Sequence, residues 1–241
     1  MKDESQTLTR GLQVLDLLAA GHEGRSVRDL AAAMGLARSI VQRLLNSLEA
    51  QGFIVHHPSK VGYRLSIKLW SLGCAAINGL GLTAVAKPHL EALSNETRET
   101  VKLSMLEGME VVSVDSIETS QTVRAYLPIG GRAPAKLAAT GRVIIAFQDA
   151  SDGAAENIVI RKRGYAVNKG EWQPGVGAIA APVFGADGSV IASVGVIMPL
   201  IRLKATQIPR IGALCLAASL RISEAAGYRG AHVQDLYAKI G

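Results

Sequence analysis

The first seventy residues carry apolar side chains at the three-to-four-residue spacing that is typical of helices. This spacing over Leu8–Leu18 predicts a first helix. A second helix is predicted to begin after Ser26, which has the position of an N-cap, with Asp29 three residues later in a capping-box-like arrangement. Gly35 ends that helix, and a third helix is predicted from about Ala37 to Gln51.

A β-hairpin is predicted to follow the three helices. Residues 53–57 have the composition of a strand, residues 58–60 that of a turn, and residues 61–65 that of a returning strand. Three helices with a glycine-containing turn between the second and third, followed by a hairpin, are typical of the winged helix-turn-helix. Because a helix fits the major groove and a hairpin can lie along the neighbouring backbone, this pattern predicts DNA binding.

Polar side chains lie off the predicted apolar stripe of the third helix, and they are the types that read base edges. Arginine can bind guanine, and glutamine or asparagine can bind adenine. Basic side chains of the hairpin are expected to contact phosphates. The candidate DNA-binding residues are Arg38, Ser39, Gln42 and Arg43 on the helix, with Lys60 and Arg64 in the hairpin.

The rest of the chain predicts a second domain in which strands and helices alternate. We expect a DNA-binding domain at 1–66, a linker helix at 67–82 and a second domain at 83–241. Since consecutive strands can pair as hairpins and helices can cover the sheet, the pattern favours an α+β fold. Strands are predicted over 101–106, 110–117, 122–127, 177–184 and 190–197, a loop over 128–134, and helices over 82–96, 135–147 and 205–226, with a basic helix ending at Gly164.

Charge and composition change this picture little. Of the 241 residues, 49% are hydrophobic but only 4% aromatic, so the cores must consist mainly of Ala, Val, Ile and Leu. The net charge is +6, and residues 1–70 contribute 9 − 6 = +3 while residues 71–241 contribute 17 − 14 = +3. The N-terminal part is therefore the more basic per residue, as expected of a domain that binds a polyanion.

Several classes of protein are disfavoured by what the sequence lacks. Two cysteines, Cys74 and Cys215, cannot build a cysteine-rich zinc site or a disulfide framework, and they favour core positions in a reduced cytosol. The charged N-terminus is unlike a signal peptide, and no uninterrupted apolar stretch of 18 residues occurs. We therefore expect a cytoplasmic protein without a membrane segment.

No motif for catalysis, a cofactor or a metal is found. HExxH, GxSxG and the phosphate-loop patterns are absent. The strongest enzyme hypothesis, a hydrolase with an appended DNA-binding domain, lacks a visible nucleophile and base. Adjacent His56 and His57 would point to opposite faces of a strand, so they are not expected to bind metal. The basic run at 161–163 is interpreted as a solvated helix end rather than a second nucleic-acid patch.

Several blocks in order resemble the IclR-type bacterial transcriptional regulators, over nearly the whole chain. LTRGLQVLDLLA at 8–19 is similar to the family's first helix, GLARSIVQRLLNSLEAQGFI at 35–54 to its recognition helix, and GYRL at 62–65 to its wing. GGRAPAKLAATGRVIIA at 130–146 and RGYAVNKGEWQPGVGAIAAPVFGADGSVIA at 163–192 resemble the effector domain. The resemblance implies a GAF-like C-terminal domain, an operator in double-stranded DNA, a homodimer or homotetramer, and control of catabolic genes by a small metabolite, often a carboxylate.

The resemblance also implies where the effector binds: at the loop and helix start near 130–139 and on the later strands. The start of the predicted helix offers free N–H groups to a carboxylate, and Lys136 in its first turn adds a charge, although a merely exposed lysine is the open alternative. Ala178, Gly195 and Ile197 stand where relatives often have small polar residues, which predicts a roomier, more apolar pocket for an aromatic or longer carboxylate. The expected effector-binding residues are Gly130, Lys136, Leu137, Ala138, Ala178, Gly195 and Ile197.

A different class of function stays open. The winged helix could serve protein contacts or dimerisation, and the chain would then be a ligand-binding scaffold. A salt-dependent complex with DNA distinguishes the two, because phosphate contacts release counterions.

Overall fold

The computed structural model describes residues 5–21, 24–56, 62–78, 81–149 and 152–230. It divides into two compact units, Met1–Ala76 and Ile77–Gly241. The described helices are α1 (Gln6–Ala19), α2 (Val27–Met34), α3 (Arg38–Ala50), α4 (Ile67–Asn78), α5 (Leu82–Thr97), α6 (Ala139–Gln148), α7 (Ala155–Arg163) and α8 (Ile208–Ala225). The described strands are β1 (Ile54–His56), β2 (Tyr63–Leu65), β3 (Thr100–Glu107), β4 (Glu110–Ile117), β5 (Arg132–Pro134), β6 (Ala166–Lys169), β7 (Val176–Phe184) and β8 (Val190–Pro199).

In the N-terminal unit, three helices and the β1–β2 hairpin enclose a small apolar core. Ser26 caps α2 as predicted: its Oγ accepts from the Asp29 N–H at 3.2 Å and donates to the Asp29 carboxylate at 2.7 Å. That bond from the Ser26 hydroxyl lowers the pKa of the Asp29 carboxyl. On the apolar face of α3, Val41, Leu44 and Leu45 are buried, Leu48 is partly buried, and Ile40 is 37% exposed. The buried core residues are Val14, Leu18, Leu30, Ala31, Val41, Leu44, Leu45, Ile54 and Tyr63.

In the C-terminal unit, six antiparallel strands form one sheet in the order β5-β4-β3-β8-β7-β6. Because side chains alternate along a strand, β3 presents Val101 and Leu103 to one face and Lys102 and Ser104 to the other. The first face packs against α5 and α8 in the larger apolar cluster, and the second lies under α6 and α7. The strand predicted between β4 and β5 is absent, and the sheet contains two strands that the sequence pattern did not predict.

The predicted strand at 122–127 is wrong. This segment is irregular, and the sheet position beside β4 is taken by β5, which pairs Arg132 with Val112. A backbone carbonyl of this segment is hydrogen-bonded to a side chain instead of a strand, since Arg202 Nη1 donates to the Val123 carbonyl at 2.9 Å. β5, placed in a loop by the sequence pattern, and β6 have only three and four residues, too few to show an alternating pattern.

The helix predicted from 135 begins four residues later. Pro134 accepts hydrogen bonds from the Leu137 and Ala138 N–H groups, both at 3.0 Å, so residues 135–138 form a turn and α6 starts at Ala139. The final helix likewise begins at Ile208, after a 3-10 turn at Ala205–Gln207. Among the described residues no helix is long and apolar enough to cross a membrane.

Candidate functional site

The outer surface of α3 presents the polar side chains that the sequence predicted for base contacts. Arg38, Ser39 and Arg43 are exposed, whereas Val41 and Leu45, on the opposite side of the helix, are fully buried. The helix is therefore anchored by one face and free to meet a groove with the other.

Gln42 is less free than expected. Its Nε2 donates to Asn46 Oδ1 at 2.8 Å and to the Tyr63 hydroxyl at 3.1 Å, so it connects α3 to β2. The Tyr63 ring in turn packs edge-on against His56, with ring centroids 5.3 Å apart. The Oε1 atom of Gln42 keeps its capacity to accept a hydrogen bond from a base. Gln42 therefore has a structural contact, and its readout of a base stays a prediction.

Of the two candidate DNA-binding residues in the hairpin, the structure describes one. Arg64 is exposed on β2, opposite Val55 in the β1–β2 register. Lys60 lies outside the described residues, as does His57. A basic residue that the sequence analysis missed is Arg28, exposed in the first turn of α2 and lining a shallow surface depression together with Arg38. A cation two residues after the N-cap Ser26 was the available signal.

The second candidate site is a cavity in the C-terminal unit, between the sheet and the start of α6. It contains about 40 Å³ of space, enough for a few water molecules. The expectation that this pocket is roomier and more apolar than in relatives stays a prediction. The cavity is lined by Lys102, Ser104, Val111, Ser113, Leu127, Ala133, Ala138, Ala139, Thr140, Asn168, Trp172, Gln173, Val176, Ala178 and Ile197.

Lys102 is the most unusual side chain of this cavity. Only 1% of the residue is exposed. Its Nζ donates to Ser116 Oγ at 3.1 Å and to the Leu127 carbonyl, both of which are neutral. It forms no ion pair with any described residue. Burial lowers the pKa of the Lys102 ammonium, and the negative charge of Glu118 opposes this shift.

A row of serines crosses the sheet beside Lys102. Ser104 pairs with Ser113 of β4 on one side and with Ser193 of β8 on the other, and all three residues are buried. A β-bulge in the β3–β4 register places Ser113 opposite Ser104 and Ser116 opposite Lys102, so both β4 serines face the same way. The Oγ atoms of Ser113 and Ser193 have no hydrogen-bond partner among the described residues.

The structure brings together three of the seven predicted effector residues: Ala138, Ala178 and Ile197 line the cavity. The placement of Lys136 was wrong, because it is exposed in the turn before α6 rather than in the first turn of the helix. The other three residues, Leu137, Gly130 and Gly195, do not line the cavity.

Three residues contact the elements that enclose the cavity: Leu137, Gly130 and Gly195. The Leu137 carbonyl accepts from Asn168 Nδ2 at 2.6 Å, and the Gly130 N–H donates to the Ser113 carbonyl at 2.7 Å. A Cβ at Gly195 would lie 3.0 Å from Thr140 Cγ2, so α6 rests directly on this glycine. These residues shape the site through the backbone.

Sequence reasoning missed the residues that carry the chemistry of the cavity. Lys102 lies between Val101 and Leu103 in the predicted strand at 101–106, and a charged residue between two apolar ones was the available signal. The register that aligns Ser113 with Ser104 depends on a bulge and left no sequence pattern. Trp172 packs against the buried cluster of Val111, Ala133 and Ala138, and it also lines the cavity.

The basic run at 161–163 is only partly a solvated helix end. The Arg161 guanidinium donates to the carbonyls of Ala146 at 2.8 Å, Asp149 at 3.1 Å and Asp152 at 2.5 Å, which caps the C-terminus of α6. Arg163 stacks over the Tyr165 ring, 4.9 Å from its centroid, and of the three residues only Lys162 is exposed. The two arginines therefore have structural roles.

Two further titratable side chains, Cys215 and His89, have shifted pKa values. Cys215 is completely buried, as predicted, and burial raises the pKa of its thiol to about 12, so it stays protonated; the Cys74 side chain lies outside the described residues. Desolvation lowers the pKa of half-buried His89, with Arg221 as a second cause. Among the described residues, no three His, Cys, Asp or Glu side chains are close enough together to hold a metal ion.

Comparison with known protein families identifies both units. The IclR helix-turn-helix domain model matches residues 7–58, and the C-terminal domain model of the bacterial transcriptional regulator IclR matches residues 74–159 and 155–224. The transcriptional regulator XynR of Escherichia coli is 29% identical over 92% of this chain and 98% of its own length. The transcriptional repressor YiaJ of Escherichia coli is 30% identical over 83% of this chain and 80% of its own length.

Solved structures agree with this fold. Pseudomonas aeruginosa HmgR matches with a TM-score of 0.75 and 28% identity, over 93% of this chain and 100% of that one. An IclR homologue of Microbacterium hydrocarbonoxydans, crystallised with 4-hydroxybenzoate, matches with a TM-score of 0.79 over 92% of this chain and 99% of that one. At 20% identity, the second likeness concerns the fold alone.

Proposed function

Since this chain belongs to the IclR family of bacterial transcriptional regulators, we propose how it binds DNA: α3 enters the major groove of an operator. Arg38, Ser39, Gln42 and Arg43 read bases, while Arg64 and Lys60 of the wing contact phosphates. Arg28, beside the N-terminus of α2, adds a further phosphate contact. The observation that carries this proposal is the exposed polar face of α3, opposite its buried Val41 and Leu45.

The test is selection of bound sequences from random 30-base-pair duplexes, followed by titration of an enriched duplex at several salt concentrations. A specific complex with several phosphate contacts loses affinity steeply as salt rises. The alternative, a scaffold whose winged helix mediates protein contacts only, predicts no enriched sequence and no salt-dependent complex.

Arg43→Ala is expected to weaken binding of the enriched duplex by about 1–3 kcal/mol, because one base contact is lost. Exposed Arg124 of the C-terminal unit, paired with Glu118 at 3.3 Å, provides the control: Arg124→Ala should leave DNA affinity unchanged. Fluorescence anisotropy of the labelled duplex measures both. Equal affinity of wild type and Arg43→Ala would remove Arg43 from the interface.

The effector is proposed to be a small carboxylate bound in the cavity at the start of α6. Ala138, at the N-cap of α6, provides no side-chain cap, so an anion can accept hydrogen bonds from the first-turn N–H groups. The IclR homologue of the same fold that was crystallised with 4-hydroxybenzoate has a carboxylate as its own ligand. With about 40 Å³ available, the cavity suits a carboxylate of a few heavy atoms. An aromatic acid needs more space than this, so lining side chains such as that of Trp172 would have to move.

The assembly is proposed to be a homodimer or homotetramer in the cytoplasm, acting on catabolic genes as a repressor or activator and without enzymatic activity. Exposed apolar side chains on α4 support self-association: Ile67 is 77% and Trp70 62% exposed. Large exposed apolar side chains on one helix are typical of an interaction surface. Light scattering of wild type and Trp70→Ser would measure this association.

A further inference from the structure

We propose that Lys102 determines the charge of the effector: the ligand is a monocarboxylate whose oxygens bind beside Lys102 Nζ and Ser113 Oγ. This inference rests on the proposed carboxylate effector and names the residues of the same cavity that recognise it.

The charge of Lys102 has no counter-ion among the described residues. An ammonium group taken out of water is costly unless an anion compensates it. Lys102 is 1% exposed, yet its two hydrogen-bond acceptors, Ser116 Oγ and the Leu127 carbonyl, carry no net charge. A carboxylate entering the cavity would provide the missing counter-ion, and in a poorly hydrated site that attraction is much stronger than in water.

The hydroxyl of Ser113 is a second polar group of the cavity that has no hydrogen-bond partner among the described residues. This residue is 2% exposed and lines the same cavity as Lys102, but its Oγ has no partner among the described residues. A buried hydroxyl without a partner costs free energy, and an anion at this position would accept its hydrogen bond. Lys102 therefore lacks a counter-ion and Ser113 lacks an acceptor, and one carboxylate would provide both.

The charged residues of the cavity lining determine how many carboxylates the ligand can carry. Lys102 is the only cation among the described residues that line the cavity. One carboxylate balances it, whereas the second carboxylate of a diacid would be buried without a counter-ion. The remaining lining is mostly apolar, including Val111, Trp172 and Ile197, and suits an uncharged remainder of the ligand.

The experiment measures the melting temperature of the full chain at constant ionic strength with acetate, propionate, pyruvate or benzoate. Succinate tests the second charge, and acetamide and benzamide are neutral controls. At least one monocarboxylate should raise the melting temperature by about 3 °C or more, since a ligand bound to the folded state stabilises it by mass action. Succinate and the amides should leave it unchanged.

Lys102→Met keeps the apolar length of the side chain and removes its charge. It should fold, and its melting temperature should no longer rise with the stabilising acid. The matched control is Lys136→Met, which removes an exposed lysine outside the cavity lining and should keep the wild-type response.

The two unpartnered serines give a second matched pair. Ser113→Ala and Ser193→Ala each remove a buried hydroxyl without a partner, so each should raise the melting temperature of the ligand-free protein slightly. Only Ser113→Ala should also weaken the response to the acid, about 3-fold or more in apparent Kd. Ser193 does not line the cavity, so Ser193→Ala should keep the response.

A wild-type response retained in Lys102→Met would overturn the role of Lys102 while leaving a carboxylate effector in place. Failure of all four monocarboxylates to stabilise the wild type would overturn both this inference and the proposed effector class. Stabilisation by succinate equal to that by the best monocarboxylate would overturn the single-charge argument. None of these results bears on the proposal that α3 binds DNA, which is tested separately.

Discussion

Gly141→Ala is expected to lower the melting temperature by about 6 °C or more, corresponding to roughly 3 kcal/mol or more. A Cβ at this position would lie 2.4 Å from both Cα and O of Ala135. Both atoms belong to the backbone of the turn that precedes α6, so no side chain can rotate away. The substitution would push α6 from the 135–138 turn and open the cavity that these elements enclose.

Thermal unfolding followed by circular dichroism measures this effect. Gly11→Ala in α1 is the matched control, because a Cβ there meets no atom within 4 Å. Alanine in a helix interior is more favourable than glycine by about 1 kcal/mol, so this control should be neutral or stabilising. A Gly141→Ala variant as stable as the wild type would show that the approach of α6 to Ala135 is not essential to the fold.

Arg202→Met is expected to destabilise the protein by about 3 kcal/mol, because it leaves the Glu99 carboxylate without its partner. The Arg202 Nε and Nη2 atoms donate to the two oxygens of Glu99 at 2.6 and 2.7 Å, and the Glu99 side chain is only 7% exposed. The paired carboxylate raises the pKa of the Arg202 guanidinium. Arg202 also holds the irregular segment through the Val123 carbonyl at 2.9 Å.

Arg210→Met provides the comparison for a solvated ion pair. Arg210 contacts Glu96 at 3.1 Å, but both side chains are more than half exposed. Exposed pairs contribute at most about 1 kcal/mol, so this variant should unfold at nearly the wild-type urea concentration. Equal midpoints for Arg202→Met and Arg210→Met would mean that the Glu99 pair contributes no more than a surface contact.

The N-terminal domain was largely predictable because its signals are local. The N-cap Ser26, the left-handed Gly35 after α2 and the apolar spacing of α3 each act within a few residues. What the sequence could not show was the hydrogen bond from Gln42 to Tyr63, since it joins residues 21 positions apart.

The sheet domain was predicted less well because its details depend on pairing. β5 and β6 are strands only because β4 and β7 offer them backbone partners, and the segment at 122–127 has strand-like composition without such a partner. The cavity depends in the same way on long-range register. The sequence identified Ala138, Ala178 and Ile197, but the alignment of Lys102 with Ser116 and of Ser104 with Ser113 follows from a bulge.

The most direct test of ligand-controlled operator binding is one anisotropy titration. The enriched duplex is titrated with the full chain, with and without a saturating concentration of the monocarboxylate that raises the melting temperature most. We expect the acid to change DNA affinity at least about 5-fold, the lower range of typical coupling between two sites, and Lys102→Met to bind DNA with no response to the acid. Identical DNA affinity of the wild type with and without a bound acid would contradict control of operator binding through this cavity.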